Sequence, residues 1–146
     1  MYNPSRTSWI EHAMLLAKAA SLRSEDPYKK VGACALDRSN MVLGVSYNGL
    51  ASGKNVEESF WSDRPARLPY MIHAEVNLLS MFKRGDAKII ACTLSPCMSC
   101  AQMIAAYGVE EVYYGEVYKR DDRGLDVFDF YGIKHSLFDM GSLPKI

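Results

Sequence analysis

The sequence predicts an α/β protein with three layers, α/β/α, and a central mixed five-stranded sheet. Two observations support this class: one helix and two strands come first, and helices and strands then alternate along the chain. A length of 146 residues is sufficient for one well-packed domain. Because the chain contains no internal repeat, linker or low-complexity segment, we expect a single domain over residues 1–146.

The first helix and the first pair of strands are predicted from local patterns. Ser8 and Glu11 match a capping box, and apolar residues follow at three- and four-residue steps, which predicts a helix over residues 8–22. Two short apolar runs, joined by a turn-prone Asp-Arg-Ser-Asn cluster, predict strands over residues 31–36 and 41–47.

The rest of the chain begins with a long polar segment, residues 48–70, which contains two glycines and two prolines. A loop of this length inside a compact domain is usually functional or mobile. Apolar periodicity, glycines just past the helix ends and a proline that opens a helix indicate the later elements. These are a helix over about 72–84, a strand over 87–93, a helix over 96–107, a strand over 111–115, a helix over 125–131 and a strand over 133–138.

The composition excludes several classes of protein. Hydrophobic residues make up 49% of the chain and charged residues 23%, which is typical of a globular protein rather than a disordered one. No apolar run approaches the length of a membrane span, and the first residues resemble neither a signal nor a transit peptide, so we expect a cytoplasmic protein without a membrane partner. Seventeen basic and seventeen acidic residues give a net charge of zero. This balance disfavours a nucleic-acid partner, because phosphate contacts usually require a basic excess.

The four cysteines fall into two groups. Cys34 and Cys92 lie inside apolar segments, where a buried thiol that acts as a small hydrophobe is expected. Cys97 and Cys100 belong to a Pro-Cys-x-x-Cys run instead. On a helix that begins at Pro96 they share one face of the first turn, where the helix dipole favours thiolates. This pair alone is ambiguous, because Cys-x-x-Cys also occurs in redox proteins.

His73 supplies a third metal ligand to the cysteine pair. It lies at the start of the helix that precedes Cys97, and both helix N-termini can meet at the same edge of the sheet. One imidazole and two thiolates make three protein ligands, whereas structural zinc usually has four. The set of His73, Cys97 and Cys100 therefore predicts one catalytic Zn²⁺ ion.

Glu75 is the predicted catalytic residue. It follows His73 by two positions, which an ideal helix would separate by about 200° around its axis. The two side chains can share one site only if His73 lies at the capping end of the helix. Glu75 then need not bind the metal, and its carboxylate can lie beside a metal-bound water. The alternative for Glu75 alone is an exposed carboxylate stabilised by the helix dipole.

The joint pattern of His-x-Glu followed by Pro-Cys-x-x-Cys is a known signature of zinc-dependent nucleobase deaminases. From about residue 8 to 138 the sequence resembles the cytidine and deoxycytidylate deaminase superfamily, and within it the deoxycytidylate (dCMP) deaminase branch. The further motifs that carry this resemblance are Leu22-Arg23-Ser24, Asp26-Pro27, Val31-Gly32-Ala33, Tyr47-Asn48-Gly49, His73-Ala74-Glu75-Val76-Asn77, Leu94-Ser95-Pro96-Cys97 and Glu116-Val117-Tyr118. The resemblance implies a cytidine-deaminase-like fold.

The resemblance also implies which residues bind the nucleotide. They are Arg23 with the adjacent Ser24 at the 5′-phosphate, Asn48 at the sugar, Tyr118 at the pocket wall, and the backbone of Ala74 and Ser95 at the pyrimidine edge. Three of these side chains also fit a purely structural role. Arg23 fits a solvated cation at a helix end, Asn48 fits ordinary turn chemistry before a glycine, and Tyr118 fits a core aromatic.

Regulation and assembly are also implied by the resemblance alone. Members of the branch are typically homo-hexamers that dCTP activates and dTTP inhibits, and a nucleoside triphosphate effector would bring Mg²⁺. Arg84 falls at the position of an effector-site arginine, although the helix dipole alone also explains a cation there. Met81 and Ala51 depart from the usual residues of relatives. These departures bear on effector choice and on the sugar-side loop.

The predicted function is hydrolytic deamination of dCMP to dUMP and ammonia, which feeds dTMP synthesis. A dCTP deaminase, or an enzyme that uses both nucleotides, is the first alternative, because the sequence does not measure the depth of the phosphate pocket. Enzymes that edit tRNA or single-stranded DNA share the metal motifs, although they usually line a groove with basic residues. A non-catalytic zinc protein or a nucleotide-sensing regulatory subunit is the alternative from another class.

Overall fold

The computed structural model describes residues 5–146 and contains one five-stranded mixed sheet. Its strands are β1 (Gly32–Leu36), β2 (Val42–Tyr47), β3 (Ile89–Cys92), β4 (Glu111–Tyr114) and β5 (Lys134–Leu137), in the spatial order β2-β1-β3-β4-β5. Strand β1 is antiparallel to both of its neighbours, whereas β3, β4 and β5 are mutually parallel. The mixed five-stranded sheet is therefore as predicted.

Residues 5–146 also form five α-helices. They are α1 (Trp9–Ser21), α2 (Arg64–Arg67), α3 (Ala74–Leu79), α4 (Met98–Ala106) and α5 (Arg123–Tyr131), and short 3₁₀ turns cover Glu58–Ser62, Leu68–Tyr70 and Met140–Ser142. The predicted capping box is present in α1. The Glu11 amide donates to the Ser8 hydroxyl at 3.1 Å, and the Ser8 amide donates to the Glu11 carboxylate at 2.7 Å. None of the helices between residues 5 and 146 is both long and apolar enough to span a membrane.

The core lies in two layers on opposite faces of the sheet. On one face, Cys34 and Leu36 of β1 pack against α1. On the other face, Ala33 and Ala35 belong to a larger cluster with side chains of α3, α4 and α5. Side chains of β1 alternate between the faces and all of them are buried, because both faces are covered. This arrangement confirms the three-layer α/β/α class.

The predicted element boundaries agree with the structure within two residues, except at the end of α3. This helix ends at Leu79, so the prediction that it extends to Arg84 is wrong. The Lys83 amide donates to the Asp86 carboxylate at 2.9 Å, and Gly85 adopts a positive φ of 92°. Because this local turn competes with helical hydrogen bonds, the chain leaves the helix early.

The segment 48–70 also differs from the expected structureless loop, because it contains helix α2 and two 3₁₀ turns. The side chain of Asp63 begins α2 by accepting a hydrogen bond from the Ala66 amide at 3.2 Å. Arg64 and Arg67 follow on this short helix. An ordered segment at this point can form one wall of a cavity.

Candidate active site

Three predicted metal ligands meet in the folded chain. The His73 Nδ1 atom lies 3.3 Å from the Cys100 Sγ atom and 3.5 Å from the Cys97 Sγ atom. All three ligand atoms lie within 4.8 Å of one another. Tetrahedral zinc, with bonds of about 2.0–2.1 Å to nitrogen and about 2.3 Å to sulfur, would place such atoms about 3.6 Å apart. The distances and the donor types therefore fit a zinc ion.

Local backbone structure brings these ligands together. His73 is the N-cap of α3 with φ −70° and ψ 150°, and Cys97 is the N-cap of α4 with φ −68° and ψ 173°. Neither side chain caps its own helix, so both remain free to bind a metal. The required capping position of His73 is confirmed. The prediction that Cys97 lies inside the first turn from Pro96 is wrong, because the chain is still extended at Cys97.

Glu75 lies beside the ligand set in a buried position. Glu75 is only 4% exposed, yet it lines the same cavity as His73 and Cys97. Burial raises the pKa of the Glu75 carboxyl, and the nearby His73 opposes this effect. A carboxyl group that is sheltered from bulk water and close to the ligands can exchange protons with a bound molecule.

The two cysteine ligands differ in acidity. The hydrogen bond from the Cys100 thiol lowers the pKa of Cys97 to about 4, with a further contribution from the hydrogen bond with His73. The same hydrogen bond, together with burial, raises the pKa of Cys100. The hydrogen bond with Cys97 raises the pKa of His73. Because zinc binds cysteine as the thiolate, Cys97 offers its sulfur to the metal more readily than Cys100 does.

Cys34 and Cys92 lie outside this set. Both are fully buried in the core, as predicted. Burial raises the pKa of Cys34 to about 12 and raises the pKa of Cys92 as well. These thiols therefore stay protonated and act as small apolar side chains.

A cavity of about 540 Å³ opens next to the ligand set, a volume suited to a small molecule. Its floor includes His73, Glu75 and Cys97. Aromatic and aliphatic walls are combined with five basic side chains around the cavity. The wall residues include Tyr28, Val31, Trp61, Leu68, Leu94 and Tyr118, and the basic residues are Lys29, Arg64, Arg67, Lys119 and Arg120.

The family model described as the cytidine and deoxycytidylate deaminase zinc-binding region matches residues 7–116. The chain belongs to this deaminase family. It is 30% identical to a deoxycytidylate deaminase of Pongo abelii, over 94% of this chain and 81% of that protein. It is 32% identical to the Homo sapiens deoxycytidylate deaminase over 73% of this chain, but the match spans only 64% of that relative.

Solved structures give the same relationship. A dCMP deaminase from the cyanophage S-TIM5, in its apo form, superposes with a TM-score of 0.73 and 28% identity, over 88% of this chain and 96% of that one. The same phage enzyme in complex with dCMP and dUMP gives a TM-score of 0.69 and 27% identity, over 89% and 93%. The predicted cytidine-deaminase-like fold is thus confirmed.

Four of the residues to which the deaminase resemblance assigned a role in nucleotide binding line the cavity: Asn48, Ala74, Ser95 and Tyr118. The Asn48 side chain accepts a hydrogen bond from the Val31 amide at 2.9 Å and donates to the Lys29 carbonyl at 3.0 Å. Its amide group therefore also fixes the cavity wall. The Tyr118 hydroxyl accepts a hydrogen bond from Arg64 at 3.3 Å.

Three other predicted residues lie outside the cavity lining. Arg23 is exposed after the end of α1, and Arg84 is exposed in the turn after α3. Ser24 is buried, and its hydroxyl donates to the Asn48 carbonyl at 2.9 Å and accepts from the Asp26 amide at 3.2 Å. Ser24 therefore supports the wall that Asn48 belongs to. In this chain, neither arginine is brought next to Glu75.

Sequence reasoning missed the basic residues of the cavity. Arg64 and Arg67 lie in the polar segment 48–70, whose length already indicated a functional loop, and Lys119 and Arg120 directly follow Tyr118. Their position after an identified pocket tyrosine was an available signal. The ordered α2 could not be foreseen from periodicity, because four residues are too few to show a helical period.

Proposed function

We propose that this chain forms a single zinc-dependent deaminase domain over residues 1–146 that hydrolyses dCMP to dUMP and ammonia. The observation that supports it best is the buried Glu75 beside the convergent ligands His73, Cys97 and Cys100, at the floor of a nucleotide-sized cavity. Membership of the deaminase family gives this arrangement its chemical interpretation.

The proposed mechanism assigns the metal and proton chemistry to different residues. When bound by the three ligands, zinc would lower the pKa of a coordinated water toward neutrality. Glu75 accepts a proton from the attacking water and delivers it to the ring nitrogen of cytosine. The water oxygen forms the new C–O bond in that attack. Glu75 then carries the remaining hydroxyl proton to the amine, and the C–N bond breaks to release ammonia. Because Glu75 returns to its starting protonation state, one carboxyl group is sufficient.

A nucleoside monophosphate suits the charges around the cavity. Lys29 is paired with Glu116 at 2.8 Å, and Arg67 is paired with Asp26 at 3.2 Å. Within residues 5–146, Arg64, Lys119 and Arg120 line the cavity without an ion-pair partner. We propose that this group holds the 5′-phosphate, rather than Arg23, which does not line the cavity. The solved complex of the cyanophage enzyme with dCMP and dUMP supports this class of substrate.

The finer parts of the function remain predictions. Activation by dCTP, inhibition by dTTP, Mg²⁺ carried by a triphosphate effector and assembly into a homo-hexamer follow from family resemblance. The exposed position of Arg84 is compatible with binding an anionic effector. Location in the cytoplasm stays a prediction, as does a dCTP or dual dCTP/dCMP activity. Editing of tRNA or single-stranded DNA is disfavoured by the net charge of zero.

The test is ammonia release by the zinc-loaded protein from deoxycytidine, dCMP and dCTP in parallel, with a chelator-treated sample as control. We expect the highest kcat/KM for dCMP and loss of activity in the chelated sample. Comparable rates with dCTP would retain the chemistry and change the substrate. No ammonia from any of the three compounds, with zinc bound, would contradict the proposal and would favour a polynucleotide substrate or a regulatory role.

A further inference from the structure

The N-terminus of α4 presents an unusual capping problem. Its N-cap residue is Cys97, whose side chain makes no capping hydrogen bond and faces the metal-ligand set. The amides of a first helical turn have no partners within the helix, and an N-cap side chain normally accepts from one of them. The Cys97 side chain leaves the Met98 amide without a local acceptor, and that amide finds its partner elsewhere in the chain.

Asp121 supplies that acceptor from the loop between β4 and α5. The Met98 amide, the first of α4, donates to Asp121 Oδ2 at 3.2 Å. A carboxylate at this position also interacts favourably with the positive end of the helix dipole. The contact joins residues 23 positions apart in the chain, so it is a tertiary cap rather than a local one.

Arg123 holds the Asp121 carboxylate in place and keeps it ionised. Its Nε atom donates to Asp121 Oδ1 at 2.8 Å and its Nη2 atom donates to Oδ2 at 3.2 Å, which makes a bidentate ion pair. The Asp121 side chain is 19% exposed, whereas the Arg123 side chain is 63% exposed. The Arg123 guanidinium lowers the pKa of Asp121 to about 2. The cap is therefore charged throughout the physiological pH range.

The helix that follows Asp121 also packs directly on the turn that carries Cys97. A Cβ atom added to Gly124 would lie 2.2 Å from the Pro96 carbonyl oxygen and 3.0 Å from the Cys97 carbonyl oxygen. Only glycine permits this approach of the two backbones. On the other side of the turn, the Ser95 amide donates to the Glu116 carbonyl at 2.8 Å and the Tyr118 amide donates to the Ser95 hydroxyl at 2.7 Å.

We propose that Asp121 is a positioning residue for the zinc ligand Cys97, because it accepts a hydrogen bond from the Met98 amide, the first amide of α4 and the one directly after Cys97. The inference rests on the proposed zinc site. Without Asp121, the Met98 amide in the first turn of α4 loses its acceptor. The Cys97 sulfur then occupies a wider range of positions relative to His73 and Cys100, and the metal is held less tightly.

The test compares zinc affinity, by competition with a chromophoric chelator, among wild type, Asp121→Ala and Asp121→Asn. Asp122→Ala is the matched control, since the neighbouring Asp122 is exposed and makes no capping hydrogen bond. We expect Asp121→Ala to weaken zinc binding about 10- to 100-fold, as the loss of an outer-shell partner does elsewhere. The zinc affinity of Asp121→Asn should lie between those of wild type and Asp121→Ala. The new amide oxygen can still accept from the Met98 amide, but the neutral side chain cannot form an ion pair with Arg123. Asp122→Ala should bind as wild type does.

A spectroscopic measurement separates positioning from general stability. In the cobalt-substituted protein, Asp121→Ala should shift the thiolate-to-metal absorption bands, while Asp122→Ala leaves them unchanged. Wild-type affinity and an unchanged cobalt spectrum in Asp121→Ala would overturn the inference and leave the zinc site intact. Failure of the wild-type protein to bind zinc would overturn the proposed function and this inference together. If Asp121→Ala does not fold, the same two measurements on Asp121→Asn decide, with a several-fold weaker affinity expected.

Discussion

The guanidinium of Arg67 lies 3.2 Å from the carboxylate of Asp26, and each of these two side chains is only 6% exposed. Asp26 also accepts hydrogen bonds from the Tyr28 and Lys29 amides at 2.8 and 3.2 Å. Arg67 lies 5.2 Å from the centre of the Tyr28 ring and 5.9 Å from that of Trp61, within the range of cation–π contacts. This buried pair fastens the segment 48–70 to the loop that follows α1.

We expect Arg67→Met to destabilise the protein by about 3–5 kcal/mol, because it leaves the Asp26 charge buried without its partner. Urea unfolding followed by circular dichroism measures this change. Arg38→Ala is the control, since the pair of Arg38 and Glu110 has side chains 57% and 53% exposed and should contribute no more than about 1 kcal/mol. Equal losses in the two variants would show that Asp26 does not depend on Arg67.

Glu75→Gln should retain zinc and lose about 10²- to 10⁴-fold in kcat, because the amide keeps the shape of the side chain but cannot shuttle protons. The measurements are zinc content by atomic absorption and ammonia release from dCMP. Glu110→Gln, a change at an exposed carboxylate, is the control and should behave as wild type does. Near-normal turnover in Glu75→Gln would end the proposed mechanism.

Arg64→Ala should raise KM for dCMP by at least about tenfold, while it changes KM for deoxycytidine little, because the guanidinium would meet only the phosphate. Arg23→Ala is the informative comparison, since Arg23 does not line the cavity and should leave both constants near their wild-type values. A rise in KM for dCMP alone in Arg23→Ala, with no such rise in Arg64→Ala, would restore the phosphate role that family resemblance implies for Arg23.

Much of the chemistry was predictable from short-range spacing. His73, Glu75, Cys97 and Cys100 lie in two short motifs, and each motif also specifies how a helix begins. The requirement that His73 be a cap followed from helical geometry and holds in the structure. The order of helices and strands likewise followed from local periodicity, because α1 and the strands are long enough to display it.

What could not be predicted depends on contacts between distant parts of the chain. Arg67 and Asp26 are 41 residues apart, and each alone is consistent with an exposed charge. Asp121 reaches Met98 only because α5 packs on the turn before α4. The early end of α3 depends on a side-chain hydrogen bond from the Lys83 amide to Asp86, which hydrophobic periodicity does not encode.

Gly124→Ala should destabilise the protein by about 1–3 kcal/mol and weaken zinc binding, because the new methyl group would push against backbone oxygens of Pro96 and Cys97. The sign is diagnostic, since alanine in place of glycine inside a helix is otherwise stabilising by about 1 kcal/mol. Thermal unfolding with and without zinc measures both effects. Asp126→Ala, an exposed change on the same helix, is the control. Higher stability in Gly124→Ala would contradict the close approach of the two backbones.

The raised pKa of Tyr113 predicts that the stability of the protein depends on pH in the alkaline range. Burial, and then the hydrogen bond that its hydroxyl donates to Glu111 at 2.5 Å, raise the pKa of Tyr113 to about 12. Because the folded state holds this proton more tightly than the unfolded chain, the stabilisation is complete below about pH 10 and is lost as the pH rises toward 12. The stability advantage of wild type over Tyr113→Phe, measured by urea unfolding, should therefore shrink from about pH 8 to about pH 11.

The control for this pH effect is Tyr70→Phe, since Tyr70 is 66% exposed. Its difference from wild type should stay constant over the same pH interval. A constant difference for Tyr113→Phe as well would show that the Tyr113 hydroxyl does not ionise in a way coupled to folding.

The loop of residues 116–121 contacts both the cavity and the helix that carries Cys97 and Cys100, and this double role limits how the protein can be redesigned. Its near end is hydrogen-bonded to Ser95, its middle lines the cavity through Tyr118, and its far end caps the helix of Cys97 and Cys100. Under the proposed function, this one loop therefore couples substrate recognition to metal retention. A loop grafted from a relative with another base preference would alter both properties at once, so a library of such grafts has to be screened for metal content before it is screened for specificity.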